Sequence, residues 1–286
     1  MEVKKVFVVG AGLMGNGIAQ VSAVAGYQVI MSDVDNIFLD RALATIDKSL
    51  DRFIKKGAIT TEQKGGALAR IQVTTDINRA AEADLVIEVV PENLELKLEV
   101  FKKLDQLCRP EVVIASNTSA IPISKLAAAT NRPSRVVGTH FFSPVPMMRL
   151  VELVCGLSTS EETLNLVKEF TLKIGKDFVV CRMDCAGFLL NRIGMPWVME
   201  AIRCVQDGVA TAEDIDKGYR LGYNYPMGPL ELIDMTGIDT TYQAALAIYQ
   251  DTGDPKFYPP SLMHRMVEAG HVGRKAGRGF YDYTKK

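Results

Sequence analysis

A short apolar run, Val6-Phe7-Val8-Val9, feeds straight into Gly10-Ala11-Gly12-Leu13-Met14-Gly15, after which Ile18, Ala19, Ser22 and Ala25 fall on one helical face. A strand, a glycine turn and a helix in that order restrict the fold more than anything else in the chain. Each glycine has its own reason. Gly10 permits the tight turn, Gly12 lets the backbone approach a pyrophosphate, and Gly15 lets the helix lie close against the strand. Backbone N–H groups and the positive end of the helix dipole then face the phosphates. After Gly26 ends that helix, Val29-Ile30-Met31 forms a second strand with Asp33 at its carboxyl end, where a carboxylate accepts hydrogen bonds from an adenosine ribose. The same charge repels a 2′-phosphate, which favours NAD over NADP. A glycine-rich turn alone also joins strands to helices without a ligand, and an acid after a strand is often an ordinary turn residue. Their combination makes Gly10, Ala11, Gly12, Leu13, Met14, Gly15 and Asp33 cofactor-binding candidates.

Strand-like runs recur at 6–9, 28–32, 71–74, 84–90, 112–115, 135–142, 150–155 and 177–182, most of them separated by segments with helical spacing. That alternation predicts an α/β domain with a mostly parallel, Rossmann-type sheet. Leu39, Leu43, Ile46, Leu50 and Phe53 mark one face of a long helix over 35–56, the start of a projecting helical arm at about 35–70. Ser49, Arg52, Lys55 and Lys56 lie toward its end, before Gly57. From spacing alone, that basic patch reads as a solvated face with a dipole-favoured C-terminus. Beyond Met183 the strand signals stop, and helices are expected at 187–206, 211–221, 228–235, 238–250 and 260–270. The chain therefore divides into 1–183, a nucleotide-binding domain, and 184–286, an all-helical domain for substrate and dimerisation.

With 286 residues and 48% hydrophobic content, the chain is long enough for a large core or two moderate ones. Its 33 basic and 34 acidic residues leave a formal charge of -1, which offers no general attraction to nucleic acid or an anionic membrane. Five cysteines without a CxxC pair, and three histidines, show no metal-ligand spacing; the thiols read as small core residues of a reducing compartment. A core strand beginning at residue 6 and the lack of a membrane-length apolar run point to the cytoplasm.

A dinucleotide is half a reaction, and the remaining half needs a group that moves a proton. His140, inside Val136-Val137-Gly138-Thr139-His140-Phe141-Phe142, is the leading candidate, because imidazole accepts an alcohol proton near neutral pH. Glu152 interrupts the apolar run Leu150-Val151-Glu152-Leu153-Val154. A buried, unpaired carboxylate is strongly unfavourable, so a partner is expected, and His140 on the neighbouring segment is the nearest by topology. Each residue alone has a structural explanation, as a satisfied core histidine or an edge-paired acid. Ser116-Asn117-Thr118-Ser119 ends the fifth strand, at the carboxyl edge where open α/β sheets bind ligands. Asn191 interrupts the apolar stretch Gly187-Phe188-Leu189-Leu190-Asn191-Arg192, where an inward amide requires a partner.

These motifs together carry a resemblance. Ser116-Asn117-Thr118-Ser119, the block from Gly138 to Glu152, Gly187 to Arg192, Tyr225-Pro226-Met227-Gly228-Pro229 and Gly273 to Tyr281 occur in the order found in the L-3-hydroxyacyl-CoA dehydrogenases. The chain resembles that family over its whole length, and in size it is similar to the stand-alone bacterial 3-hydroxybutyryl-CoA dehydrogenases. The resemblance implies that His140 is the catalytic base, that Glu152 orients it, and that Ser119 and Asn191 bind the reacting oxygens of the substrate. It adds Glu92, Lys97, Ser119, Ser143 and Lys275 on the cofactor side. It also reassigns the basic patch, placing Ser49 and Lys56, with Ser119, against the coenzyme A moiety. Ser143 stands where the family often has Asn, and Ala186 where it often has Pro, departures that remove no catalytic group.

The activity so implied is reversible oxidation of an L-3-hydroxyacyl-CoA by NAD, with the acyl-CoA in a cleft below the helical domain. Two other readings are a dehydrogenase of a free hydroxy acid or sugar acid, and an NAD-binding protein without turnover. The apolar residues Phe188, Leu189, Leu190, Ile193, Met195, Val198 and Met199 are expected to bury a homodimer contact, as the family resemblance implies.

Overall fold

Strands covered on both faces by helices read as continuous apolar runs, and all eight of the runs above become strands of one sheet. They are β1 (Lys5–Val9), β2 (Gln28–Ser32), β3 (Ile71–Thr74), β4 (Leu85–Glu88), β5 (Val113–Ser116), β6 (Val136–Phe141), β7 (Leu150–Cys155) and β8 (Asp177–Cys181). The strand order is β3-β2-β1-β4-β5-β6-β7-β8. Every neighbouring pair is parallel except β6 and β7, which run antiparallel with His140 opposite Glu152. The computed structural model describes residues 2–284. The chain forms two units, Met1–Cys185 and Ala186–Lys286.

In the first unit, α1 (Leu13–Val24), α2 (Asn36–Lys55), α3 (Thr61–Ala69), α4 (Leu94–Leu107), α5 (Ile123–Ala127) and α6 (Glu161–Lys173) connect the strands. Val6, Phe7, Val8, Leu85, Val86 and Ile87 are wholly buried, each side chain contributing about 1.5–3 kcal/mol by leaving water. The segment 35–70 is anchored to the sheet, because Leu39, Ile46, Leu50 and Ala67 belong to the same core as β1 and β4. Caps fix its two helices. Asp35 accepts from the Ile37 N–H, and Thr60 and Gln63 form a reciprocal capping box. Lys64 then ties α3 to α2 through Asp47 at 2.7 Å and Asp51 at 2.6 Å.

The second unit consists of α7 (Leu190–Gln206), α8 (Ala212–Gly222), α9 (Pro229–Thr236), α10 (Ile238–Thr252) and α11 (Ser261–Glu268). Two buried acids organise it. Asp216 accepts from the N–H groups of Leu230 and Glu231 at the start of α9, and from the Tyr281 hydroxyl at 2.7 Å. Asp234 accepts from Phe280 and Tyr281 N–H, which fastens the C-terminal segment. The apolar residues expected to face a second copy are largely used internally. Phe188 and Met199 are fully buried, Met195 and Val198 nearly so, and Met195, Val198 and Met199 sit in the unit's own cores. The sequence pattern could not separate an interface from a core, since both present the same apolar face. Ile193 alone of that set is largely exposed, at 64%. Among the described residues, no helix is long and apolar enough to cross a membrane.

Candidate active site

At the carboxyl end of β1 the glycines are held as their roles require. Gly10 has φ +109°, and a Cβ there would lie 2.8 Å from the Val89 carbonyl oxygen. A Cβ on Gly15 would meet the Gly10 oxygen at 1.9 Å, so any side chain would push α1 off the turn. Gly12, the N-cap of α1, has nothing within 4 Å of the corresponding point, and no side chain caps the helix. This leaves an open, positively polarised helix start of the kind that receives phosphate. Asp33 stands beside it, one carboxylate oxygen accepting from Ala11 N–H at 2.7 Å and the other from Val34 N–H at 2.7 Å. The glycine loop and the acid are therefore one hydrogen-bonded group, and these residues fit a dinucleotide carrying a free ribose diol.

The neighbouring strand ends carry a second polar group. Glu88, the last residue of β4, is fully buried and accepts from Lys97 Nζ at 2.7 Å, Val90 N–H at 2.7 Å and Ser116 Oγ at 2.6 Å. Lys97, on α4, is 1% exposed and also donates to the Val90 carbonyl at 3.1 Å, with Glu92 Oε2 at 3.4 Å. Its ammonium thus lies beneath the site and reaches the surface through Glu92. Glu92 in turn accepts from the Thr118 hydroxyl and from the N–H groups of Ser119 and Ala120. Glu92, Lys97 and Ser119 are brought together in one network spanning the loops after β4 and β5.

Farther along the same edge, His140 Nδ1 lies 2.9 Å from Glu152 Oε2, with His140 7% exposed and Glu152 wholly buried. The antiparallel register of β6 and β7 sets that distance. The Phe142 ring covers the imidazole, centroids 4.6 Å apart. Ser143 is exposed at the start of the loop that follows β6. Lys176 holds that loop from below, donating to the carbonyls of Val145 and Met148 at 2.6 Å each, and burial lowers the pKa of its ammonium. The loop rests on α1, since a Cβ on Gly17 would meet Val145 Cβ at 2.7 Å.

The remaining expected residues belong to other elements. Ser49 is half-buried on α2 and Lys56 is exposed at its C-cap. Asn191 is half-buried in the first turn of α7, in the second unit. Lys275, also in the second unit, pairs with Asp239 at 2.7 Å. Of the five free thiols, Cys108 and Cys181 are core residues, and Cys155, Cys185 and Cys204 are half-buried. Burial pushes Cys181 up to about 12. Among the described residues, no group of three or more His, Cys, Asp or Glu is placed to hold a metal ion. Sequence reasoning missed Glu88 and Lys176, and it singled out Asn117 only as one of four polar residues at the end of β5, with no role of its own. Glu88 carried a readable signal, an acid closing the apolar run Leu85-Val86-Ile87, which is the same signal that marks Glu152.

Comparison with known proteins places this geometry in context. Residues 5–185 match the model of the 3-hydroxyacyl-CoA dehydrogenase NAD binding domain, and 187–283 match that of the 3-hydroxyacyl-CoA dehydrogenase C-terminal domain. A probable 3-hydroxybutyryl-CoA dehydrogenase of Bacillus subtilis (strain 168) is 46% identical over 100% of this chain and 99% of its own. The mitochondrial hydroxyacyl-coenzyme A dehydrogenase of Sus scrofa is 41% identical over 98% of this chain and 91% of its own. The crystal structure of (S)-3-hydroxybutyryl-CoA dehydrogenase from Ralstonia eutropha superposes with a TM-score of 0.95 at 45% identity, covering 99% of this chain and 100% of that one.

Proposed function

The chain belongs to the 3-hydroxyacyl-CoA dehydrogenase family, its first unit an NAD-binding domain, and from that premise we propose that it interconverts L-3-hydroxybutyryl-CoA and the 3-ketoacyl-CoA. The observation that carries the reading is the buried 2.9 Å contact between His140 Nδ1 and Glu152, on the strand edge that also carries the cofactor loops. With the Glu152 carboxylate accepting the Nδ1 proton, the neutral imidazole has its lone pair on Nε2. Nε2 takes the proton of the substrate hydroxyl, and the imidazolium so formed is stabilised by the carboxylate behind it. NAD, when bound by the glycine loop and Asp33, supplies the hydride acceptor as the C3–H bond breaks and the ketone forms. In the reverse direction the imidazolium returns its proton to the alkoxide oxygen. Ser119, its backbone held by Glu92, directs its hydroxyl to that oxygen and lowers the energy of developing negative charge.

The coenzyme A moiety is assigned to the end of α2. Lys64 is engaged with Asp47 and Asp51, so this end presents the positive charge of Arg52, Lys55 and Lys56, with Ser49 one turn back. A homodimer in a reducing cytoplasm accompanies the family reading, and sedimentation as a monomer would remove the first part of it.

The deciding measurement is NADH formation from 3-hydroxybutyryl-CoA by wild type, His140→Ala and Glu152→Ala. Both variants lose most turnover; near-normal rates in both refute the assignment. Lys56→Glu raises KM for the acyl-CoA and leaves that for NAD unchanged. Equal activity on free 3-hydroxybutyrate would shift the reading to a hydroxy-acid dehydrogenase.

A further inference from the structure

β6 outruns its parallel neighbour exactly where the imidazole stands. The β5–β6 ladder pairs Ile114 with Val136, Ala115 with Val137 and Ser116 with Gly138, and there it stops. β6 continues through Thr139, His140 and Phe141, paired only on its other side with Leu153, Glu152 and Val151 of β7. Phe141 is 2% exposed, and a buried N–H left without an acceptor is unfavourable. Asn117 supplies the acceptor. Its Oδ1 takes the Phe141 N–H at 2.9 Å, in place of the carbonyl that another residue of β5 would have offered. The Asn117 backbone is fixed as well, its N–H donating to the Glu88 carbonyl at 2.8 Å.

We propose that Asn117 is a positioning residue for His140: its side chain completes the missing rung beside Phe141 and keeps the last turn of β6 backbone in the register that sets His140 against Glu152. The proposal rests on the reading of His140 as the base. Without the acceptor, Phe141 loses its hydrogen bond on the β5 side, and the imidazole drifts relative to the substrate hydroxyl. A misplacement of about 1 Å in a reacting group lowers rates by roughly 10²-fold. Asn117 acts through the β6 backbone in this role, so its loss appears in kcat and leaves KM for NAD largely unchanged.

The test uses the full-length enzyme with Asn117→Leu and the isosteric Asn117→Asp. Leu removes the acceptor, and kcat for 3-hydroxybutyryl-CoA oxidation is expected to fall about 10²-fold while amide hydrogen exchange speeds up at 139–142. Asp keeps an oxygen for the Phe141 N–H, so most of kcat returns. Its added negative charge favours the imidazolium and moves the acid limb of the kcat/KM profile to higher pH. In a His140→Ala background, Asn117→Leu lowers turnover no further. Unchanged kcat and exchange in Asn117→Leu overturn the proposal. So does equal loss in both variants with an unmoved pH profile, or full additivity with His140→Ala. Should Asn117→Leu fail to fold, the Asp variant's rescue and pH shift still decide. If His140→Ala itself turns over normally, the base assignment fails, and the exchange data separately report whether Asn117 holds Phe141.

Discussion

Two glutamates of the first unit, Glu88 on β4 and Glu152 on β7, are each completely buried near the same edge of the sheet, and they differ in the company they keep. Glu88 faces Lys97 at 2.7 Å and takes two further hydrogen bonds, from Val90 N–H and Ser116 Oγ. Glu152 faces His140 at 2.9 Å. An ammonium is a strongly hydrated cation, and its burial is tolerated only with a close counter-charge and saturated donors. Imidazole is the side chain that gains and loses a proton in the middle of the pH range. The first pair is therefore a fixed support that locks the loops after β4 and β5. The second has as its partner a side chain able to change charge during a reaction. Burial of an acid does not by itself mark chemistry; the partner decides.

The largest expected effect separates the two pairs by activity. His140→Gln keeps an N–H directed at Glu152 but has no basic nitrogen. It should lower kcat by about 10²–10⁴-fold, the range for loss of a general base, while the urea midpoint stays near that of wild type. NADH formation and equilibrium unfolding of the same preparation measure both. A parallel collapse of stability would put His140 in the same class as Lys97.

Lys97→Met should do the converse. Removing one member of a buried pair leaves the other charge unsupported, at a cost of about 3–5 kcal/mol, and urea unfolding of the apo-protein reads it directly. The double variant Glu88→Met/Lys97→Met should recover part of that loss, since no lone charge remains, although Val90 N–H and the Ser116 hydroxyl still lack their acceptor. Wild-type stability in Lys97→Met would show that the ammonium supports nothing and return it to the cofactor face.

Much of this was legible in the sequence. The eight apolar runs announce eight strands because helices cover both faces of the sheet and every position of a central strand is apolar. The acid at 152 was conspicuous for the same reason: it violates a continuous apolar pattern, and Glu88 violates it equally. Other features depend on relations that no local pattern carries. Asn117 matters because β5 ends two residues short of where β6 places His140, and relative strand length emerges only on pairing. Lys176 matters because its ammonium meets two backbone carbonyls about thirty positions back, at Val145 and Met148, and carbonyls leave no sequence signature. Met195, Val198 and Met199, expected at an interface, lie in the unit's own cores, because amphipathic spacing shows that a face is covered without showing by what.

The smallest effect extends the rule about partners to two buried aspartates, one in each unit. Burial pushes the Asp105 carboxyl up, but N–H groups of Asn131 and the Arg132 guanidinium outweigh it and hold its pKa below the usual range. Asp234 accepts from the backbone N–H groups of Phe280 and Tyr281, but burial, with the nearby Asp216 charge, outweighs them and leaves its pKa raised. The signs follow from proton binding. Asp105 folded binds fewer protons than unfolded, so its contribution is full above the ordinary carboxylate range and is lost as pH falls through the depressed value. Asp234 folded binds more protons, so its contribution is full at low pH and declines as pH rises from the ordinary value toward the raised one. Urea midpoints between about pH 3 and pH 6 should therefore respond oppositely to Asp105→Asn, which flattens the acid loss, and Asp234→Asn, which removes the opposing decline. Responses of the same sign would show that burial alone, and not the cation beside the acid, governs these carboxylates.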